Sequence, residues 1–263
     1  SATPTGPSTT TSYTYDARNA VTGMIDPAGN TSTWTYDALG RRITSRDPDA
    51  GTATTAYDDA GRIVQVTDGR NSTRTFTYDD LDRKTGEYSG TTVAASAHLA
   101  GWTFDTVAKG QPSTGTRYVS GGATGPAIVT QVTGYSPRYA PTGTSVTIPA
   151  GYGPLTGTYT STNTYGPNGA LTKHTEPAAG GLPAETLVSG YDGLGLPSGY
   201  SSGLGFYLSG TSRDALGRLT QTTRAKSGNA TITTITYDDV NRLAHTQTTR
   251  SAATDALVSD RVY

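Results

Sequence analysis

A spacing of 21 residues separates four consecutive tyrosines near the start of this 263-residue chain, and an aspartate directly follows each tyrosine. The four pairs are Tyr15–Asp16, Tyr36–Asp37, Tyr57–Asp58 and Tyr78–Asp79. A dipeptide that returns at equal intervals indicates an internal repeat, in which each copy is a small supersecondary unit that packs against its neighbours. This spacing therefore constrains the fold more than any other feature of the sequence.

Less regular copies continue along the rest of the chain. Related pairs are Phe104–Asp105, Tyr191–Asp192, Arg213–Asp214 and Tyr237–Asp238, whereas Tyr118, Tyr139 and Tyr165 keep the aromatic residue and lose the acid. From Tyr118 onward the intervals run from 21 to 26 residues, which indicates insertions in the connecting segments.

The fourth position after the aromatic residue is restricted to residues that tolerate positive φ. The residues at this position are Asn19, Gly40, Gly61, Asp82, Gly122, Gly143, Gly169, Gly195, Gly217 and Asn241. After Phe104 the glycine, Gly110, lies two residues further along the chain than in the other units. A type I turn followed by a left-handed residue commonly closes a hairpin, and an aspartate at its first position can bond to the backbone two residues on. Each unit is therefore predicted to be a β-hairpin with an Asp-x-x-Gly turn.

An arginine follows the turn in five units: Arg41, Arg62, Arg83, Arg218 and Arg242. The Asp and Arg columns could be interpreted as catalytic pairs, but catalysis needs one constellation at one place, and these residues recur with the hairpin. We expect the aspartate to fix the turn and the arginine to pair with an acid of its own or of the next hairpin. Exposed pairs of this kind contribute about 0–1 kcal/mol each.

The strands before the turns alternate aromatic residues with threonine, as in Trp34 and Tyr36 with Thr33 and Thr35. Alternation with a period of two places the aromatic residues on one face of a strand. With 17 tyrosines, 33 glycines and a net charge of −1, the composition predicts an all-β protein with a thin, aromatic-rich core. The absence of cysteine excludes disulfides and thiolate metal sites, and the near-neutral charge gives no basis for binding nucleic acid. No apolar run approaches the ~20 residues of a membrane span.

The repeated segments resemble the YD-repeat family, also called RHS repeats. The resemblance rests on "YDALGRRIT", "YDDAGRIVQVTD", "YDDLDRKTGEY", "RDALGRLTQTT" and "YDDVNRLAHTQ", and it is close over residues 13–90 and 210–250. It implies tandem β-hairpins that wind into a β-spiral or an open arc of shell wall, as in bacterial polymorphic toxins, toxin-complex shells and teneurin-like proteins. It also implies a bacterial protein that is secreted or lies at the cell surface.

Composition divides the chain into four parts. Residues 1–12 are predicted to be a Ser/Thr/Pro-rich linker or a remnant of cloning, and residues 13–104 the regular 21-residue repeats. Residues 105–190 are predicted to hold degenerate repeats with Gly/Pro-rich loops. Residues 191–263 return to recognisable repeats, and the sequence stops inside a further copy.

Other candidate sites are weaker. Residues 199–203 fit the G-x-S-x-G motif of α/β-hydrolases, with Asp214 and His245 following, but the surroundings look like a Gly/Ser loop and not a strand, turn and helix. His98, His174 and His245 are far apart, so we expect no transition-metal site. Asp47 and Asp49 could contribute to a weak calcium site, but we expect them to form hydrogen bonds within a turn instead. We predict no cofactor.

The sequence supports three hypotheses of function. The first is a non-catalytic segment of a YD/RHS shell, whose partner is the remainder of its own longer polypeptide or an enclosed cargo polypeptide such as a toxin. The second is an extracellular adhesion or glycan-binding β-spiral, for which the candidate residues are Tyr135, Tyr139, Tyr152, Tyr159, Tyr200 and Tyr207. The third is an extracellular fibre in which the chain binds another copy of itself.

Overall fold

A computed structural model describes residues 9–225, 229–251 and 256–263. The all-β prediction is confirmed, because the described residues form antiparallel strands joined by short turns. Most of the linker predicted over residues 1–12 lies outside the described residues, and the first strand already begins at Ser12. Within the described ranges, three short 3-10 helices, Ala95–Ala97, Gly122–Thr124 and Gly153–Leu155, interrupt the strands.

The strands are β1 Ser12–Tyr15, β2 Val21–Ile25, β3 Thr31–Tyr36, β4 Arg42–Asp47, β5 Gly51–Tyr57, β6 Ile63–Thr67, β7 Thr73–Tyr78, β8 Lys84–Ser89, β9 His98–Phe104, β10 Pro112–Tyr118, β11 Ala127–Tyr135, β12 Pro141–Ile148, β13 Gly157–Tyr165, β14 Leu171–Glu176, β15 Glu185–Tyr191, β16 Pro197–Ser202, β17 Gly205–Leu208, β18 Gly210–Arg213, β19 Leu219–Arg224, β20 Thr231–Tyr237, β21 Leu243–Arg250 and β22 Leu257–Val262.

The chain divides into two compact units. The first comprises Ser1–Thr103 and Thr114–Ile128. In it, the strands from β1 to β9 each pair with the next one along the chain. Each 21-residue repeat therefore supplies two strands and two turns.

The second unit comprises Phe104–Ser113 and Val129–Tyr263. Its strands from β11 to β17 also pair in chain order. Strands β18 to β22 form a separate five-stranded sheet in the same consecutive order. Both units are thus built from local hairpins.

The predicted aromatic core is wrong. Among the described residues, Ala230 is the one hydrophobic residue that is buried, and no large side chain is fully buried. The aromatic residues of the repeat, such as Trp34 and Tyr36, are only half-buried. Hydrogen bonds of the strand ladders and contacts between neighbouring turns, described below, hold these hairpins together in place of a deep apolar interior.

Three local predictions also need correction. The Gly/Ser loop expected around residues 199–203 is a hairpin of β16 and β17, so the setting of a hydrolase motif is absent there. The turn expected after Tyr139 lies four residues earlier, after Tyr135, and Gly143 lies within β12 opposite Gly134. Gly122 does have positive φ, at 61°, but it belongs to a 3-10 helix.

Candidate functional site at the repeat turns

An aspartate organises each regular turn through its own side chain and backbone. In the turn after β3, the Asp37 N–H donates to the Arg41 carbonyl at 2.9 Å, and the Gly40 N–H donates to the Asp37 carbonyl at 3.0 Å. The Asp37 Oδ1 accepts from the N–H groups of Leu39 and Arg41, each at 2.9 Å. Gly40 has φ 80°, and the register shifts between Thr35 and Tyr36, which is the signature of a hairpin closed by a bulge.

Arginines of the column connect one turn to the next. The Arg41 Nε donates to the Asp37 carboxylate at 2.7 Å, while its Nη1 donates to the main-chain carbonyl of Asp58 in the following turn at 3.2 Å. Arg62 repeats both contacts with Asp58 and Asp79, and it also binds the Asp82 carboxylate at 2.8 Å. The arginines thus pair with an acid of their own hairpin and, at Arg62, with one of the next.

The tyrosine column supplies a second link between successive turns. The Tyr57 ring lies beneath the Arg41 guanidinium at 4.6 Å, and its hydroxyl donates to the Arg42 carbonyl at 3.1 Å. The same stacking joins Arg62 to Tyr78 and Arg218 to Tyr237. Equivalent hydroxyl bonds are made by Tyr36, Tyr78, Tyr135, Tyr165, Tyr191 and Tyr237. The rings of Tyr57, Tyr78 and Tyr237 are therefore each held by a cation and by a hydrogen bond.

The turn environment lowers the pKa of the aspartates. Burial raises the pKa of the Asp37 carboxyl, but hydrogen bonds from the Arg41 N–H and guanidinium outweigh burial, so the pKa lies below its ordinary value of 3.8. The pKa values of Asp58, Asp79 and Asp214 are lowered in the same way. Main-chain N–H donors are the leading cause for Asp16 and Asp238. These carboxylates stay ionised and bound to their turns, which makes them poor acid–base catalysts near neutral pH.

A family model describes the same segments. The RHS Repeat model matches residues 15–52 and 57–93, which contain the first four Tyr-Asp turns. These two segments are RHS repeats. No protein of curated function matches the sequence.

Solved structures share this fold. A structure titled TcdB2-TccC3 superposes with a TM-score of 0.76 at 18% identity, and one titled TcdB2-TccC3-TEV with a TM-score of 0.74 at 19% identity. A structure of the Photorhabdus luminescens Tc holotoxin pore gives a TM-score of 0.73 at 18% identity. Each match covers 96% of this chain and 13% of the solved chain. The chain therefore spans a small part of the length of the proteins whose fold it shares.

The other Tyr-Asp turns of the chain keep the turn geometry but vary the side chains. The turns at Asp16, Asp192, Asp214 and Asp238 have the same pair of backbone bonds as the turn at Asp37. Positive φ occurs at the predicted column in Asn19, Gly61, Asp82, Gly169, Gly195, Gly217 and Asn241. Salt bridges within the turn are present at Arg41, Arg62, Arg83, Arg218 and Arg242. Arg213, which replaces the tyrosine, lies 3.8 Å from the Asp192 carboxylate.

Sequence reasoning missed a second aspartate column in the first unit. Asp26, Asp47 and Asp68 open the alternate turns, and the Oδ1 atom of each accepts two main-chain N–H groups. These aspartates are also spaced by 21 residues, so the same periodicity that identified the tyrosines contained this signal. Asp47, considered above for calcium, uses its carboxylate to hold its own turn.

The other candidate residues lie in pairwise contacts. The His174 ring nitrogens contact Asn163 and Glu176, each at 2.7 Å, and His245 pairs with Asp260. Asp214 belongs to its turn with Arg218, so the structure does not assemble Asp214 and His245 with the 199–203 motif into a triad. Over the described residues there is no group of three His, Cys, Asp or Glu side chains that could hold a metal ion. No helix in that part of the chain is long and apolar enough to span a membrane.

Proposed function

We propose that this chain is a non-catalytic wall segment of an RHS shell that encloses another polypeptide. One observation carries the proposal: successive turns are joined by the Arg41-to-Asp58 and Arg62-to-Asp79 contacts, which make a run of hairpins into a continuous wall. The fold shared with the TcdB2-TccC3 structures over 96% of the chain supports it. Its partner is then the remainder of a longer polypeptide or a cargo enclosed by that polypeptide.

The distribution of charge supports a structural role over a catalytic one. The aspartates and arginines of the repeats are already engaged in turn bonds, as at Asp58 and Arg62. A catalytic group must be free to exchange protons or contact a substrate, whereas these groups hold the backbone. With this role we also propose that the protein acts as part of a secreted bacterial assembly.

Limited proteolysis of the complete natural gene product tests enclosure. If the chain is shell wall, a segment outside the repeats resists protease until the wall is opened by Arg41→Met together with Arg62→Met. Arg70→Met is the matched control, because the Arg70 side chain is 89% exposed and its side chain pairs within its own turn with Asp68. Equal digestion of every segment in the unaltered product would refute the proposal. Light scattering of the same sample over a range of concentrations would reveal fibre growth instead.

A glycan-binding role is the second candidate, and one exposed aromatic pair favours it. The Tyr200 and Tyr207 rings lie 5.8 Å apart and are 37% and 45% exposed. Beside them, Glu185 accepts hydrogen bonds from Ser202 and Tyr207. Aromatic faces next to a carboxylate and hydroxyls suit a sugar ring. Binding on a glycan array that disappears in Tyr200→Ala and Tyr207→Ala, but not in Tyr13→Ala, would favour adhesion over the shell.

A further inference from the structure

Two successive turns of the second unit keep the hairpin backbone without the Asp and Arg columns. Ser136 and Gly166 stand where the regular turns have aspartate, and Ala140 and Ala170 stand where they have arginine. The backbone bonds are unchanged: the Ser136 N–H donates to the Ala140 carbonyl and the Gly166 N–H to the Ala170 carbonyl, each at 2.8 Å. These two turns therefore have the same backbone shape as the regular ones but lack the side chains that connect neighbouring turns.

An open cleft of about 550 Å³ occupies the place of those side chains. It is lined by both turns, including Pro137, Pro167 and Tyr165. In the regular repeats an arginine covers the equivalent ring, as Arg41 covers Tyr57 at 4.6 Å. Ala140 is too short to do so, so the turn column places no guanidinium over Tyr165 in this cleft.

Arg138 provides the charge in this cleft. It lies three residues after Tyr135, and Arg18 lies at the same position after Tyr15. The Arg18 guanidinium binds the Asp16 carboxylate at 3.3 Å and the main-chain carbonyls of Asp37 and Ala38 at 3.1 and 3.2 Å. Arg18 therefore shows which partners an arginine at this position takes when they are present.

Arg138 lacks those partners. Its guanidinium lies against Gly169 of the next turn, where a Cβ atom would be 2.7 Å from Nη1, yet it has neither an acceptor nor an ion-pair partner among the described residues. Ser136 replaces the aspartate that would have paired with it. In the same cleft, Asn168 Oδ1 accepts from the Ala170 N–H at 3.0 Å, so its amide nitrogen remains as a second donor.

We propose that this cleft binds an acidic side chain, aspartate or glutamate, of another polypeptide. Arg138 takes the carboxylate through its paired N–H donors, a geometry that guanidinium groups fit well. The contacts of Arg18 indicate a polypeptide as the source, because they combine one carboxylate with main-chain carbonyls, and an acidic residue in an extended segment offers both. The site does not depend on the shell proposal, since it would exist on a free chain as well as on a wall.

Titration of the whole chain with blocked aspartate, N-acetyl-aspartate N-methylamide, tests the site at neutral pH. We expect weak, salt-sensitive binding with chemical-shift changes at the amides of Gly169 and Ala140. Blocked asparagine, which has the same shape without the charge, should bind at least fivefold more weakly. Equal binding of the two compounds would overturn the proposal.

Variants identify the residue responsible. Arg138→Gln should weaken binding of blocked aspartate at least fivefold, whereas Arg46→Gln, at an exposed arginine of β4, should leave it unchanged. Ser136→Asp recreates the Arg18–Asp16 pair within the chain and should also suppress binding without unfolding the turn, because aspartate occupies this position in the regular repeats. Undiminished binding in Arg138→Gln would refute the assignment. Tighter binding of glucuronate than of blocked aspartate would overturn the polypeptide source.

Discussion

The turn at residues 37–41 and the turn at residues 136–140 follow the same hydrogen-bonding pattern with different side chains. In the first, Asp37 accepts two main-chain N–H groups at 2.9 Å and binds Arg41. In the second, Ser136 Oγ accepts the equivalent N–H groups of Arg138 and Ala140 at 3.3 and 3.1 Å. The serine hydroxyl thus accepts these N–H groups at longer distances than the aspartate carboxylate does, and it carries no charge that could pair with an arginine.

The difference separates two tasks that the Asp-x-x-Gly-Arg motif combines. The left-handed residue and the paired backbone bonds make the turn, and both are present at Gly40 and at Tyr139, which has φ 60°. The charged residues connect one turn to the next, as Arg41 does with Asp58. Where the charges are absent, the turn persists and a cleft opens beside it.

The largest effect is expected at the left-handed position. Gly40→Val should lower the free energy of unfolding by about 1–2 kcal/mol, because a β-branched residue is forced to positive φ. No atom lies within 4 Å of a Cβ built there, so the cost comes from the backbone alone. Gly40→Asn should be nearly neutral, since Asn19 and Asn241 adopt φ 62° and 68° in equivalent turns. Urea unfolding followed by tryptophan fluorescence reports this, because Trp34 and Trp102 both lie in the first unit.

The reverse change, from a residue with a side chain to glycine, can be made at the left-handed position of the degenerate turn. Tyr139 is 56% exposed, so Tyr139→Gly removes little packing and relieves the left-handed strain. We expect a gain of a few tenths of a kcal/mol, after the entropy that glycine adds to the unfolded chain is subtracted. Circular dichroism during urea unfolding measures it. A loss of stability at Tyr139→Gly as large as that at Gly40→Val would contradict the shared turn geometry.

The next effect concerns the links between turns. Arg62→Met should lower the urea midpoint of the first unit, because Arg62 contacts Asp58, Asp79 and Asp82 and lies 5.1 Å over the Tyr78 ring. Arg62→Lys should recover only part of the loss, since an ammonium cannot make the forked contacts. Arg70→Met, the control used above, should have little effect. Equal shifts for Arg62→Met and Arg70→Met would mean that the links contribute nothing.

Acidification should affect the two kinds of turn differently, and we expect a smaller loss of stability than in the arginine variants. The pKa of Asp58 is lowered in the folded chain, because hydrogen bonds from Arg62 outweigh the opposing effect of burial. A carboxyl with a lowered folded pKa stabilises the protein above its unfolded pKa of about 4, and this stabilisation is lost as the pH falls through the folded value. Amide exchange at Gly61 and Arg62 should therefore lose protection as the pH falls below about 4. The amides of Tyr139 and Gly169 should change less, because Ser136 and Gly166 do not titrate. Equal acid loss at all four would contradict this.

The regular repeats could be predicted because each of their signals is local and recurs. The Asp37-to-Arg41 turn is specified by five adjacent residues, and its copies fix the spacing. The partners beyond the turn were less predictable, because a bond such as Arg41 to the Asp58 carbonyl depends on a main-chain atom that no residue type identifies.

The degenerate repeats were misread where the acid is missing. Tyr139 lies 21 residues after Tyr118, so spacing favoured it over Tyr135 as the repeat tyrosine. A better signal was the residue directly after the tyrosine: Ser136 can accept main-chain N–H groups as aspartate does, whereas Ala140, which follows Tyr139, cannot. The cleft itself could not be predicted, since it follows from where Arg138 points and not from its presence in the sequence.

Loss of the tyrosine hydroxyl should have the same effect in both kinds of repeat. Tyr57→Phe and Tyr165→Phe each remove one hydroxyl, which donates to the Arg42 carbonyl at 3.1 Å and to the Pro141 carbonyl at 2.8 Å. Each should cost about 0.5–1 kcal/mol, the usual net contribution of one hydrogen bond. Urea unfolding followed by circular dichroism measures both.

Replacing the whole tyrosine ring should separate two contributions to stability. The hydroxyl hydrogen bond is present in both kinds of repeat, whereas the contact between arginine and ring is a feature of the regular repeats. Tyr57→Leu removes the surface on which Arg41 stacks, whereas Tyr165→Leu removes a ring whose neighbour is Ala140. The first variant should therefore lose more stability than the second, by about 0.5 kcal/mol or more for an exposed cation–ring contact. If the two leucine variants were equal while the phenylalanine variants were also equal, the guanidinium would contribute nothing through the ring, and Arg41 would link its turn to the next through the Asp58 carbonyl alone.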